Sequence, residues 1–156
     1  ATLLAAKLLV EGPPPPVDVY FAITAGEEGG CSGGQFVART LPIEAMIAVE
    51  VGPVAPEYEI AMSPAPVVLF KDRFYYTRSV CERLCALADE AGFGHQRAIL
   101  RTFGSDASTA HQAGAVGKAA CIAFPTENTH GYEMAQFEAI GNCGRLLAAY
   151  LANPVR

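Results

Sequence analysis

Leucines at positions 3, 4, 8 and 9 recur at helical spacing among good helix formers, so residues 2–10 are predicted as an amphipathic helix that Gly12 and the proline run 13–16 bring to an end. Apolar side chains then fill nearly every position of residues 17–24, the pattern of a strand buried on both faces, and this segment is expected inside a sheet. Residues 35–39 read as a short helix ahead of Pro42. Residues 44–51 read as a second buried strand, closed by Gly52 and Pro53. Between residues 58 and 70, Pro64 and Pro66 interrupt Ile60, Val67, Val68 and Leu69, which suits short or edge strands rather than a central one.

The second half of the chain keeps alternating. Val80, Leu84, Leu87, Ala88 and Ala91 share a helical face over residues 75–91, with Gly92 as the stop. A short strand over 96–102 and a helix over 107–113 follow. Residues 118–124 form another strand and residues 134–151 a last helix, with Phe137, Ile140, Leu147 and Leu151 on its apolar side. This order of elements predicts an α/β fold, a three-layer sandwich in which helices flank a mostly parallel central sheet. A chain of 156 residues is a single-domain length that buries about two thirds of its unfolded surface.

Charge and cysteine content narrow the function. A net charge of −5, with 11 Lys and Arg and no basic cluster, argues against nucleic acid as a partner. No apolar stretch approaches the roughly 18 residues of a membrane span. The five cysteines at 31, 81, 85, 121 and 143 are odd in number and widely spaced, as expected of reduced thiols in a cytoplasmic protein. Cys81 and Cys85 share a helical face, but no second pair accompanies them, so they read as small buried hydrophobes.

Four polar residues stand where an α/β sheet gathers ligands, at the carboxyl ends of strands. Glu27 and Glu28 follow the first strand, Glu50 closes the second, and His130 lies beyond the strand that ends near Phe124. Each has a bland reading as a charged strand end or a loop histidine. Together they are the set that metal-assisted hydrolysis requires: carboxylate and imidazole ligands for zinc, cobalt or manganese, with one carboxylate left to take a proton from water. Neighbouring residues in an extended segment point different ways, so Glu27 and Glu28 can divide these roles.

These residues carry a resemblance. The ordered series 19–29 with Glu27 and Glu28, then Ala48-Val49-Glu50-Val51, then Gly104-Ser105-Asp106-Ala107, then 124–133 with His130, is similar to the glutamyl aminopeptidase and deblocking aminopeptidase family of dinuclear metallopeptidases. The resemblance implies an aminopeptidase acting on peptides with two divalent metal ions, zinc or cobalt. It casts Glu27 as general base, Glu28 and His130 as ligands of one metal, Glu50 as a ligand of the other, and Asp106 as a supporting or substrate-amine group. Family members commonly assemble into large homo-oligomeric shells.

The departures from the family pattern are as informative. The family's site also contains an upstream histidine in a strand and an upstream aspartate that bridges the metals, and neither is present; His95 and His111 do not match the missing histidine. Residues 1–156 are therefore expected to be the C-terminal part of a metallopeptidase catalytic domain, holding at most half of each ligand set and inactive alone. A small β-rich domain is implied for the missing part. Glu127-Asn128 stands where Arg-Tyr is common in the family. Two other readings remain: a noncatalytic assembly or binding module of the same fold, and an amide hydrolase acting on N-acyl amino acids.

Overall fold

In the computed structural model, which describes residues 1–155, a five-stranded sheet is covered on both faces by helices. Helix α1 spans Thr2–Glu11, α2 Ser32–Thr40, α3 Arg78–Glu90, α4 Asp106–Gln112 and α5 Phe137–Ala152. The strands are β1 Ala45–Pro53, β2 Val67–Lys71, β3 Gln96–Ile99, β4 Lys118–Glu127 and β5 Met134–Ala135. Their order is β1-β4-β2-β3, with β5 paired to the far end of β4. Helices α1, α3 and α5 pack together on one face, while α2 and α4 pack together on the other. This is the α/β sandwich that the alternation predicts. The sheet is mixed: its two longer ladders, β1 with β4 and β2 with β3, are parallel, and the shorter ones, β2 with β4 and β4 with β5, are antiparallel.

The core lies where β4 and β2 meet α3 and α5. Val67, Val68, Cys121, Ile122, Leu84 and Leu146 are all fully buried there. Cys81 and Cys85 belong to the same cluster, as the bland reading has it, and all five cysteines are free thiols. Helix α3 ends at the predicted stop, because Gly92 adopts φ 79°, a left-handed conformation that side chains disfavour. None of the helices among the described residues is long and apolar enough to cross a membrane.

Three expectations are corrected. Residues 17–24 pair with no strand, and Val17, Tyr20, Phe21 and Ile23 are exposed, Ile23 at 78%. An apolar run dictates extended backbone, but a strand also needs a partner ladder, and none of the described strands offers one. The prolines before β2 do not make it an edge strand. Pro64 and Pro66 precede the strand, the Pro66 carbonyl accepts from the Gln96 amide at 2.8 Å, and β2 lies inside the sheet between β4 and β3. Phe137 is 90% exposed rather than on the apolar face of α5, since it occupies the first position of the helix, beyond the core.

Candidate functional site

The two adjacent glutamates project from a tight turn between the extended segment 17–24 and α2. The Glu27 carbonyl accepts from the amides of Gly30 at 3.0 Å and Cys31 at 2.9 Å, and the Ala25 carbonyl accepts from the Gly33 amide at 3.1 Å. Cys31, which precedes α2, is held at φ 59°. This conformation turns its buried side chain back toward Glu27, so that Sγ lies 3.6 Å from Oε1. Glu27 is half-buried, and burial pushes its carboxyl above the ordinary range; the charges of Glu28 and Asp106 add to this, while the thiol contact and His130 oppose it. Burial likewise lifts the Cys31 thiol to about 11, so the sulfur keeps its proton at neutral pH and can donate it.

Glu28 points outward and meets His130. The imidazole Nε2 lies 3.1 Å from Oε1 and 3.3 Å from Oε2. His130 is carried by a loop beyond β4 in which Asn128 and His130 both take left-handed φ values, 56° and 64°. The loop is pinned by the Gly131 amide to the Asn128 carbonyl at 3.0 Å and by the His130 amide to Glu133 Oε1 at 3.1 Å. Two non-glycine residues held this way mark a segment whose shape is imposed by its surroundings.

Glu50 does not close its strand as expected. It lies within β1, opposite Ala123 of β4, and the ladder continues to Pro53. Its carboxyl is pushed up to about 7, first by burial and then by the charges of Glu27, Asp106 and Glu28. Asp106 opens α4, where Ser105 and Ser108 form a reciprocal cap. Its Oδ2 accepts from Thr24 Oγ1 at 2.6 Å, while Oδ1 is buried with no partner.

The structure thus brings Glu28 to His130 and Asp106 to the turn that carries Glu27 and Glu28, while Glu50 is linked to this acidic group through the charges that raise its carboxyl. His95 and His111 lie outside it: His95 contacts Asp89 at 2.9 Å, and His111 contacts the Tyr75 carbonyl at 3.3 Å. Two participants escaped the sequence reading. Thr24 looks like an ordinary strand residue, and Cys31 like any small thiol; only the folded turn aims them. The buried chain of Asp72, Tyr76 and Ser105, with Tyr76 Oη 2.5 Å from Asp72 Oδ2 and 2.8 Å from Ser105 Oγ, was equally silent. Its one sequence signal is the serine pair three apart that caps α4.

The donors are those of a divalent-metal site: carboxylate oxygens and an imidazole nitrogen. They form a partial fit. Glu28 and His130 meet, but among the described residues no three His, Cys, Asp or Glu side chains gather closely enough to hold an ion. What the arrangement offers is one exposed donor pair beside a half-buried carboxylate of raised proton affinity.

Comparison with known proteins places these features in context. The sequence model for the M42 glutamyl aminopeptidase family matches residues 1–146. No curated protein matches the chain. Among solved structures, a TET aminopeptidase from a marine sediment archaeon of the Thaumarchaeota superposes with a TM-score of 0.91 at 22% identity, over 98% of this chain and 45% of the other. An aminopeptidase from the archaeon Desulfurococcus kamchatkensis gives 0.86 at 22% identity, over 98% and 46%. The TET1 peptidase of Pyrococcus horikoshii gives 0.73 at 19% identity, over 84% and 40%. At these identities the likeness bears on the fold. The chain spans less than half the length of these solved proteins.

Proposed function

The chain belongs to the M42 glutamyl aminopeptidase family, and on that premise we propose that it contributes one side of the active site of a metal-dependent aminopeptidase that releases N-terminal residues from peptides. The observation that supports this reading is the meeting of Glu28 and His130 beside the half-buried Glu27.

In this reading Glu27 is the general base. Its raised proton affinity suits a group that takes a proton from the attacking water and returns it to the leaving amine. Glu28 and His130 would hold one divalent ion and Glu50 another, the remaining donors coming from outside these residues. Two such ions, zinc or cobalt, supply Lewis-acid polarisation of the scissile carbonyl when bound. Asp106 supports the turn or the substrate amine. Residues 1–156 constitute a single α/β domain, the C-terminal portion of the catalytic domain. The partners are peptide substrates and copies of the chain itself, as the P. horikoshii TET1 peptidase can assemble into a tetrahedron or a large octahedral shell, and the five free thiols suit a cytoplasmic protein.

A second reading, a noncatalytic assembly module, is favoured by the open donor set. Calorimetric titration with zinc or cobalt separates the two. A protein of the relatives' length that includes this chain should bind two ions tightly and cleave aminoacyl substrates. Absence of tight sites would favour the module, and turnover of N-acyl amino acids in place of aminoacyl peptides would redirect the reading to an amide hydrolase.

A further inference from the structure

The contact between Thr24 and Asp106 has a geometry that substrate binding alone does not explain. Asp106 sits in the first turn of α4, where its Oδ2 accepts from the Thr24 hydroxyl at 2.6 Å and its Oδ1 is buried without a partner. The side chain as a whole is only 8% exposed. On its other flank stands Gly34, where a Cβ would overlap the carboxyl group, so α2 comes as close to Asp106 as a backbone can. Thr24 lies three residues before Glu27, and Gly34 lies six residues after Glu28. One buried carboxylate therefore touches both ends of the turn that presents the two glutamates.

We propose that Asp106 is a positioning residue that fixes the Glu27-Glu28 turn from outside, through its hydrogen bond to Thr24 and its close packing on Gly34. The proposal rests on the functional reading for its catalytic consequence, but its structural part concerns this chain alone. Among the described residues, 17–24 pair with no strand, so the contacts that hold the turn here come from α4 and α2. The short bond from the Thr24 hydroxyl to the Asp106 carboxyl oxygen ties the turn to α4. The buried thiol of Cys31, inside the turn, reports whether the tie is intact.

The experiment is alkylation of the protein with iodoacetamide, followed by peptide mapping of all five cysteines, for the native chain and for Thr24→Val, Thr24→Ser and Asp106→Asn. Thr24→Val removes the donor and should raise the rate at Cys31 at least tenfold while the rates at Cys81, Cys85, Cys121 and Cys143 stay within twofold. Thr24→Ser keeps the hydroxyl and should match the native rate. Asp106→Asn keeps an acceptor for Thr24 and should stay within threefold of it. An unchanged Cys31 rate in Thr24→Val overturns the proposal. So does a common rise at all five thiols, which would assign the contact to the fold as a whole.

The same variants in a protein of the relatives' length, assayed on an aminoacyl anilide, add a KM-against-kcat split. Positioning predicts a fall of at least tenfold in kcat for Thr24→Val with KM within twofold, restored by Thr24→Ser. A tenfold rise in KM for Asp106→Asn, with Thr24→Val unaffected, would make Asp106 a substrate-amine group and overturn the positioning role. If the native protein turns over no aminoacyl substrate, the functional reading fails, while the alkylation result still decides the proposal.

Discussion

His130 Nε2 lies 3.1 Å from Glu28 Oε1, although 102 positions separate the two residues in the chain. Both side chains are more than half exposed, at 57% and 77%. An exposed pair of this kind contributes at most about 1 kcal/mol to stability. Stability therefore does not account for a loop that holds two left-handed residues to deliver the imidazole. His130→Ala should leave the unfolding midpoint of the chain nearly unchanged while weakening zinc or cobalt binding at least about tenfold in a protein with the complete donor set. A large loss of stability with unaltered metal affinity would assign the pair to the fold.

Glu50 predicts a pH signature for the metal-free chain. Its folded pKa, about 7, lies above the ordinary carboxyl value, so the folded state binds the proton more tightly than the unfolded state does. Stability from this group is present below the unfolded pKa and declines as pH rises through the folded one. With partial solvent access the loss is about 1–2 kcal/mol between pH 4.5 and 8. Glu50→Gln should remove that slope and leave the variant the more stable protein at pH 8, as read by urea unfolding at both pH values. A variant that keeps the native slope would show that another group carries it.

Gly34 predicts a packing effect. A Cβ at this position overlaps the Asp106 carboxyl, which is buried and cannot swing into solvent. Gly34→Ala should cost about 1–3 kcal/mol by forcing α2 and α4 apart. Urea unfolding measures this directly. Little or no loss would mean that the two helices separate freely.

Much of the fold was legible because periodicity reports on side-chain burial. Residues 2–10 and 75–91 show helical spacing and became α1 and α3, and the buried runs 44–51 and 118–124 became β1 and β4. What periodicity cannot report is partnership. Residues 17–24 carry a strand's composition without a ladder, and β2 is interior despite two nearby prolines, since strand order is a property of the whole sheet. The site divides along the same line. Glu27, Glu28, Glu50 and His130 were visible as chemistry-bearing side chains, although 17–24 is not a strand and Glu50 lies within β1, whereas Thr24 and Cys31 became visible only when a turn folded them against Asp106 and Glu27.

The central claim is that Glu27 moves the proton in peptide hydrolysis. Its most direct test is Glu27→Gln in a protein of the relatives' length, with turnover of an aminoacyl substrate and calorimetric metal binding measured on the same sample. Glutamine keeps the shape of the side chain and its contact with Cys31 but cannot accept the proton. The account predicts a fall in kcat of about 100- to 10,000-fold with metal binding retained. Native turnover in the Glu27→Gln protein, with its metal still bound, would contradict it.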